Sequence, residues 1–143
     1  MQTDAAAFYL AKIQHEIDVM DVADALAGGE IVLVDSRRRE SWDHCHVPGA
    51  VHLPTADIQH HAPQLIAQNR KVVVYSWGPG CNGSTYAALA FAELGYSVRE
   101  MMGGIEYWAK NGLPVAIADG PLRLGANPLV TAKISFPGKQ RVQ

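Results

Sequence analysis

Tyr75 is followed by Ser76-Trp77-Gly78-Pro79-Gly80-Cys81-Asn82-Gly83-Ser84-Thr85, a run that sets one thiol among three glycines. Glycine lets the backbone curl until successive N–H groups point inward, and such a concavity holds anions. A helix starting at Ser84 or Thr85 would add unpaired N–H groups and the positive end of its dipole. A thiol in that setting is stabilised as thiolate, which makes Cys81 a better nucleophile than an ordinary cysteine. The competing reading is an inert cysteine in a structural turn. The nucleophile reading places substrate against Ser76, Trp77, Gly78, Gly80, Asn82, Gly83, Ser84 and Thr85, with Trp77 as an exposed wall.

The same loop argues against phosphoryl chemistry. Cysteine phosphatases and arsenate reductases carry an arginine six residues after the cysteine, because a dianion needs bidentate neutralisation. Here that position is Ala87, and the chain from Ser76 to Ala88 has no arginine or lysine. An uncharged loop suits a persulfide or a singly charged group. His44, Cys45, His46, His52, His60 and His61 form a dense set, yet their spacing matches no familiar ligand pattern. Neither a metal nor any other cofactor is expected. Cys45 reads as a tolerated surface residue, with a resolving partner for Cys81 as the alternative.

The elements that must position this loop alternate between strand and helix patterns. Residues 5–16 have helical composition, and Asp21 reads as the N-cap of a short helix ended by Gly28-Gly29. Ile31–Val34 and Lys71–Tyr75 are continuous branched runs of the kind buried on both faces of a sheet. Residues 50–53 form a short strand between Pro48-Gly49 and Pro54, and residues 39–45 a single helical turn. A helix over 56–68 is limited by Pro63. Thr85–Leu94 is amphipathic, with Ala87, Ala90, Phe91 and Leu94 on one face and Gly95 beyond its end. Ser97–Met102 is another strand, and Gly103-Gly104 opens a helix carrying Ile105, Tyr107 and Trp108 towards the core. This alternation predicts an α/β fold with a parallel sheet and helices on both faces.

The division expected is an N-terminal helical extension over 1–16, one domain over 17–118 and a loosely packed tail over 119–143. A chain of 143 residues, 48% apolar, is long enough for a single core. The formal net charge of -2 and the absence of any like-charge block give no case for nucleic acid or an anionic membrane. No apolar run is long enough to span a bilayer, and the first residues lack the charge order of a secretory leader. Two cysteines make no disulfide framework, which reads as a cytoplasmic protein with reduced thiols.

Several blocks together resemble the single-domain rhodanese-like family. They are Val34-Asp35-Ser36-Arg37 with Glu40 and Trp42, then His46 through Pro54, then Val73-Val74-Tyr75. Ala87-Ala88, Leu94-Gly95-Tyr96 and Gly103 through Trp108 follow in family order. The resemblance covers roughly residues 17–115 and implies a five-stranded parallel sheet. It also implies sulfur transfer through a cysteine persulfide, from a thiosulfate-type donor to a small or protein-borne thiol. Asp35 and Arg37, at the end of a strand near the loop, read as structural supports, and His46 as a residue that helps position the site. In that family the nucleophile follows the Val-x-Tyr strand, where this chain has Ser76. Counting back nine from Ala87 reaches Gly78, so Ser76 is two residues early and Cys81 three late. The loop resembles an extended variant that commonly holds a second cysteine. Three readings stay open: Cys81 is the nucleophile, the domain is a non-catalytic binding or regulatory module, or Ser76 stands where the native chain has cysteine.

Overall fold

Branched aliphatic residues cover both faces of two central strands, and that pattern organises the whole sheet. The computed structural model describes residues 3–131. In chain order the elements are α1 (Asp4–His15), β1 (Glu16–Ile17), α2 (Val19–Ala27), β2 (Ile31–Asp35) and α3 (Arg39–His44). There follow β3 (Val51–His52), a 3-10 turn (Thr55–Asp57), α4 (Ile58–Leu65), β4 (Lys71–Tyr75) and α5 (Gly83–Glu93). The last are β5 (Val98–Met101), α6 (Gly104–Lys110), β6 (Val115–Ile117) and β7 (Gly120–Leu122).

Strands β1 to β5 form one parallel sheet in the order β1-β5-β4-β2-β3. β2 and β4 pair along their full length, from Ile31 opposite Lys71 to Asp35 opposite Tyr75. Successive side chains point to opposite faces. Ile31, Leu33, Val73 and Tyr75 therefore pack with Val22 of α2 and Trp108 of α6. Val34, Val72 and Val74 pack on the other side with Ile58 of α4 and Phe91 of α5. Burial on both faces is why these strands read as unbroken apolar runs. Trp108 is buried as expected, whereas Tyr107 is half-exposed.

Several boundaries differ from the sequence expectation. The first helix stops at His15, and Glu16–Ile17 becomes the edge strand beside β5. Asp18, not Asp21, caps α2, accepting from the Met20 and Asp21 N–H groups at 2.9 Å each. The earlier start carries Val19 into the core, where it is 6% exposed. Pro63 lies inside α4 rather than at its start, and that helix ends at Leu65.

The antiparallel β6–β7 ribbon was not expected at all. It is tied to the domain by His46, whose N–H and C=O pair with Ala116 at 3.1 and 2.7 Å. The Asn127 N–H reaches Lys110 O at 2.7 Å, and the Asn111 amide reaches Val130 O at 3.3 Å. The tail expected to be loose is thus hydrogen-bonded to α6 as far as Val130. The remainder of that expectation, residues 132–143, lies outside the described residues. No helix among the described residues is long and apolar enough to cross a membrane.

Candidate active site

The carboxyl ends of β2, β4 and β5 converge, which is where parallel sheets bind ligands. β2 ends on Asp35, fully buried, and the chain turns at once to Arg37, 4% exposed. The Asp35 carboxylate accepts from Arg37 Nε at 3.0 Å and Nη2 at 2.7 Å, and from the Tyr75 hydroxyl at 2.7 Å. Tyr75 in turn accepts from the Val47 N–H at 3.0 Å. Burial, then the charge and hydrogen bond of Asp35, push the Tyr75 hydroxyl far above the ordinary phenol range. It therefore stays neutral, donating to Asp35 while accepting from Val47. Burial also opposes the Arg37 charge, but the hydrogen bonds and charge of Asp35 outweigh it and hold the guanidinium above its ordinary value. Arg37 further stacks over the Trp77 ring, 4.5 Å from its centroid. The pair, with Tyr75, is a buried brace between adjacent strand ends.

The loop after β4 is locked by α6. The Ile105 N–H donates to Ser76 O at 3.0 Å and the Glu106 N–H to Trp77 O at 2.9 Å. This close approach requires Gly104, which has φ +62°. A Cβ there would lie 2.6 Å from Ser76 O and 2.7 Å from Gly78 N. The chain then turns back through a Cys81 N–H bond to Gly78 O of 3.1 Å and enters α5 at Gly83.

This turn returns the Cys81 sulfur to the strand end. Ser76 Oγ lies 3.2 Å from Cys81 Sγ, and the Gly83 N–H points at the same sulfur from 3.4 Å. Gly83 has no room for a side chain, since a Cβ would sit 2.7 Å from Ser76 Oγ. Among the described residues no backbone acceptor takes the N–H of Gly80 or Asn82. The Ser76 hydroxyl contributes most, then the Gly83 and Trp77 amides, and together they hold the Cys81 thiol below its ordinary value against the opposing effect of burial. The sulfur remains half-exposed, so the thiolate is both stabilised and reachable. Replacing Ser76 with alanine removes the largest of these contributions. The pH midpoint of Cys81 alkylation by iodoacetamide should then move up, and alkylation at neutral pH should slow. An unshifted midpoint would mean that Ser76 does not support the thiolate.

Cys81 opens into a cleft of about 420 Å³ that also exposes Ser76, Gly80, Asn82, Glu100 and Tyr107. Ser84 and Thr85 reach it, but both hydroxyls donate to Glu100 Oε1, at 3.1 and 2.7 Å. Trp77 is not brought to this cleft. It is exposed as expected, but on the side that holds Arg37, Cys45 and the β6–β7 ribbon. His46 is also elsewhere, stacked on Trp42 at 3.5 Å with Nδ1 on Trp42 O. Cys45 lies in the apolar hollow beside Trp77 and does not line the Cys81 cleft. Sequence reasoning missed Glu16 and Glu100, which line the cleft. For Glu100 the available signal was an acid near the carboxyl end of a predicted strand, whereas Glu16 fell at the end of a predicted helix and carried none.

The chain is thus a parallel α/β domain that presents a partly exposed cysteine in a glycine-rich loop at its strand ends. It is a member of the rhodanese-like family, whose Rhodanese-like domain model matches residues 18–111. A sulfurtransferase of Allochromatium vinosum is 32% identical over 109 residues, covering 74% of this chain and 98% of that protein. An HTH-type transcriptional regulator of Mycobacterium tuberculosis is 30% identical over 111 residues, 78% of this chain. The chain spans about half of that regulator's length, 49%. A crystallised protein of Bacillus halodurans is 36% identical with a TM-score of 0.74, over 82% of this chain and 87% of that one. The fold and the family are therefore those the sequence motifs pointed to.

Proposed function

We propose that the protein is a sulfurtransferase that carries sulfane sulfur as a persulfide on Cys81, from a small donor to a small or protein-borne thiol. The observation that carries this reading is the convergence of Ser76 Oγ and the Gly83 N–H on one half-exposed sulfur. The Cys81 thiolate attacks the outer sulfur of the donor, an S–S bond forms, and the donor's S–S or S–SO3 bond breaks with its electron pair. An acceptor thiolate then attacks the outer sulfur of Cys81 and restores the enzyme thiolate. The N–H groups of Gly80 and Asn82, which have no backbone acceptor among the described residues, suit the negative charge of such a persulfide. A reducing compartment such as the cytoplasm suits a thiol that must stay free.

The test is to incubate the reduced protein with thiosulfate and, separately, with a small alkyl persulfide. Peptide mass spectrometry should then find one added sulfur atom on Cys81. A folded protein left unmodified by both donors sinks the proposal. It would favour a second reading, a non-catalytic binding module, which is motivated by Ser76 at the end of β4. In that case Ser76→Cys is the informative variant, since gain of transfer would show that the loop lacked only its thiol.

A further inference from the structure

The charge of the Cys81 cleft is unusual for a site meant to receive an anion. Among the described residues its lining holds two carboxylates, Glu16 and Glu100, and no arginine, lysine or histidine. Glu16 is paired with Lys12 at 2.9 Å. Glu100 forms no salt bridge among the described residues: Lys12 is near enough to feel its charge but bonds to Glu16, and the hydroxyls of Ser84 and Thr85 bond to Glu100.

The position of Glu100 matters as much as its charge. Ser84 and Thr85 lie in the first turn of α5, the end of that helix where the dipole is positive. That end would otherwise attract an incoming anion. Here a carboxylate of the fold itself, delivered by β5, already occupies the neighbourhood and offsets the dipole. A dianion entering beside Cys81 therefore meets a fixed negative charge, with Lys12 committed to Glu16 and no arginine or lysine in the described lining to bond it. A ligand with an ammonium group meets a carboxylate that no salt bridge engages among the described residues.

Resting on the sulfurtransferase reading, we propose that Glu100 is a specificity residue that selects alkyl persulfides and thiols bearing an ammonium group over dianionic donors such as thiosulfate. In the favoured reaction the Cys81 thiolate takes the outer sulfur of R–S–SH and R–S⁻ leaves with the electron pair. The proton stays on the transferred sulfur, so no oxidant or reductant is consumed. Glu100 holds the ammonium end of R and takes no part in the bond changes.

Two donors of matched size test this, aminoethyl persulfide and carboxyethyl persulfide, with thiosulfate as the dianion. The readout is the rate at which one sulfur atom appears on Cys81 of the full chain. The unmodified protein should load from the aminoethyl donor roughly five- to tenfold faster than from the carboxyethyl donor, as expected for one partly screened charge pair. Glu100→Gln keeps an oxygen acceptor for Ser84 and Thr85, and it should collapse this preference while raising the rate with thiosulfate. Because the variant could disturb α5, the unmodified protein supplies a second measurement: its preference should shrink as salt is added. Equal rates with the two persulfides, a preference insensitive to salt, or a folded Glu100→Gln protein with the preference intact each overturn the proposal. These outcomes all include loading of Cys81, so they are distinct from failure to load with any donor, which overturns the sulfurtransferase reading itself.

Discussion

Cys81→Ala is expected to reduce sulfur transfer to the uncatalysed background while leaving the melting temperature nearly unchanged. The two halves of this expectation come from different features. Activity falls because the thiol supplies the atom that becomes the persulfide. Loss of a nucleophile of this kind commonly costs three to six orders of magnitude, roughly 10³ to 10⁶. Ser76 cannot take over, since an alcohol oxygen forms no persulfide and the residue is 6% exposed at the strand end. Stability is spared because Cys81 is half-exposed and contributes no side chain to either core cluster. Alanine gives up only the hydrogen bonds that the sulfur makes with the Ser76 hydroxyl and the Gly83 amide, and sulfur is a weak acceptor. Transfer to an acceptor thiol and a thermal melt on the same preparation check both halves. A folded Cys81→Ala protein that still transfers sulfur would remove Cys81 from the mechanism.

That expectation could be framed from the sequence because the loop announces itself by its glycines and its place after a buried strand. The central strands were equally legible: Ile31–Val34 and Val72–Val74 are short, branched apolar runs, and their length and β-branching favour a buried strand over a helix. Legibility failed where an element is too short to show a period. β1 has two residues, and only its pairing with Glu100 and Met101 makes it a strand. It failed again where two residues could play one local part, as Asp18 and Asp21 both could at the start of α2. Burial of Val19 settles that choice, and burial is a tertiary fact. The β6–β7 ribbon depends on the His46–Ala116 pairing across 70 residues, which no local pattern encodes. The acidic character of the cleft was hidden for the same reason. Glu100 is close to Ser84 in space but lies on β5, beyond the helix that follows the loop, so an uncharged loop sequence opens into a charged pocket.

The largest effect on stability is expected from Asp35→Asn, which should lower unfolding free energy by about 3–5 kcal/mol. In a domain of this size that corresponds to a fall in melting temperature of roughly 10 °C or more. The reason is the charge left behind. Asp35 is fully buried and binds Arg37 through both oxygens while also accepting from Tyr75. Asparagine offers a single oxygen and turns an N–H₂ towards groups that are themselves donors. The Arg37 guanidinium has no reserve acceptor nearby, for its Nη1 is buried without a hydrogen-bond partner among the described residues. It also contacts the Cys45 carbonyl and the faces of Trp77 and Tyr75. A salt bridge on the surface supplies the control. Arg39 and Asp43 form a similar pair at 3.0 Å, but with side chains 75% and 58% exposed, so Asp43→Asn should cost no more than about 0.5 kcal/mol. Matched denaturant titrations of the two variants separate burial from pairing as the source of the effect. Equal, small losses would show that the Arg37 charge reaches solvent past Trp77 when its partner is removed. A large loss confined to Asp35→Asn should also slow Cys81 alkylation, because Tyr75 leads directly into Ser76 and the brace at the strand end holds the residue that supports the thiolate.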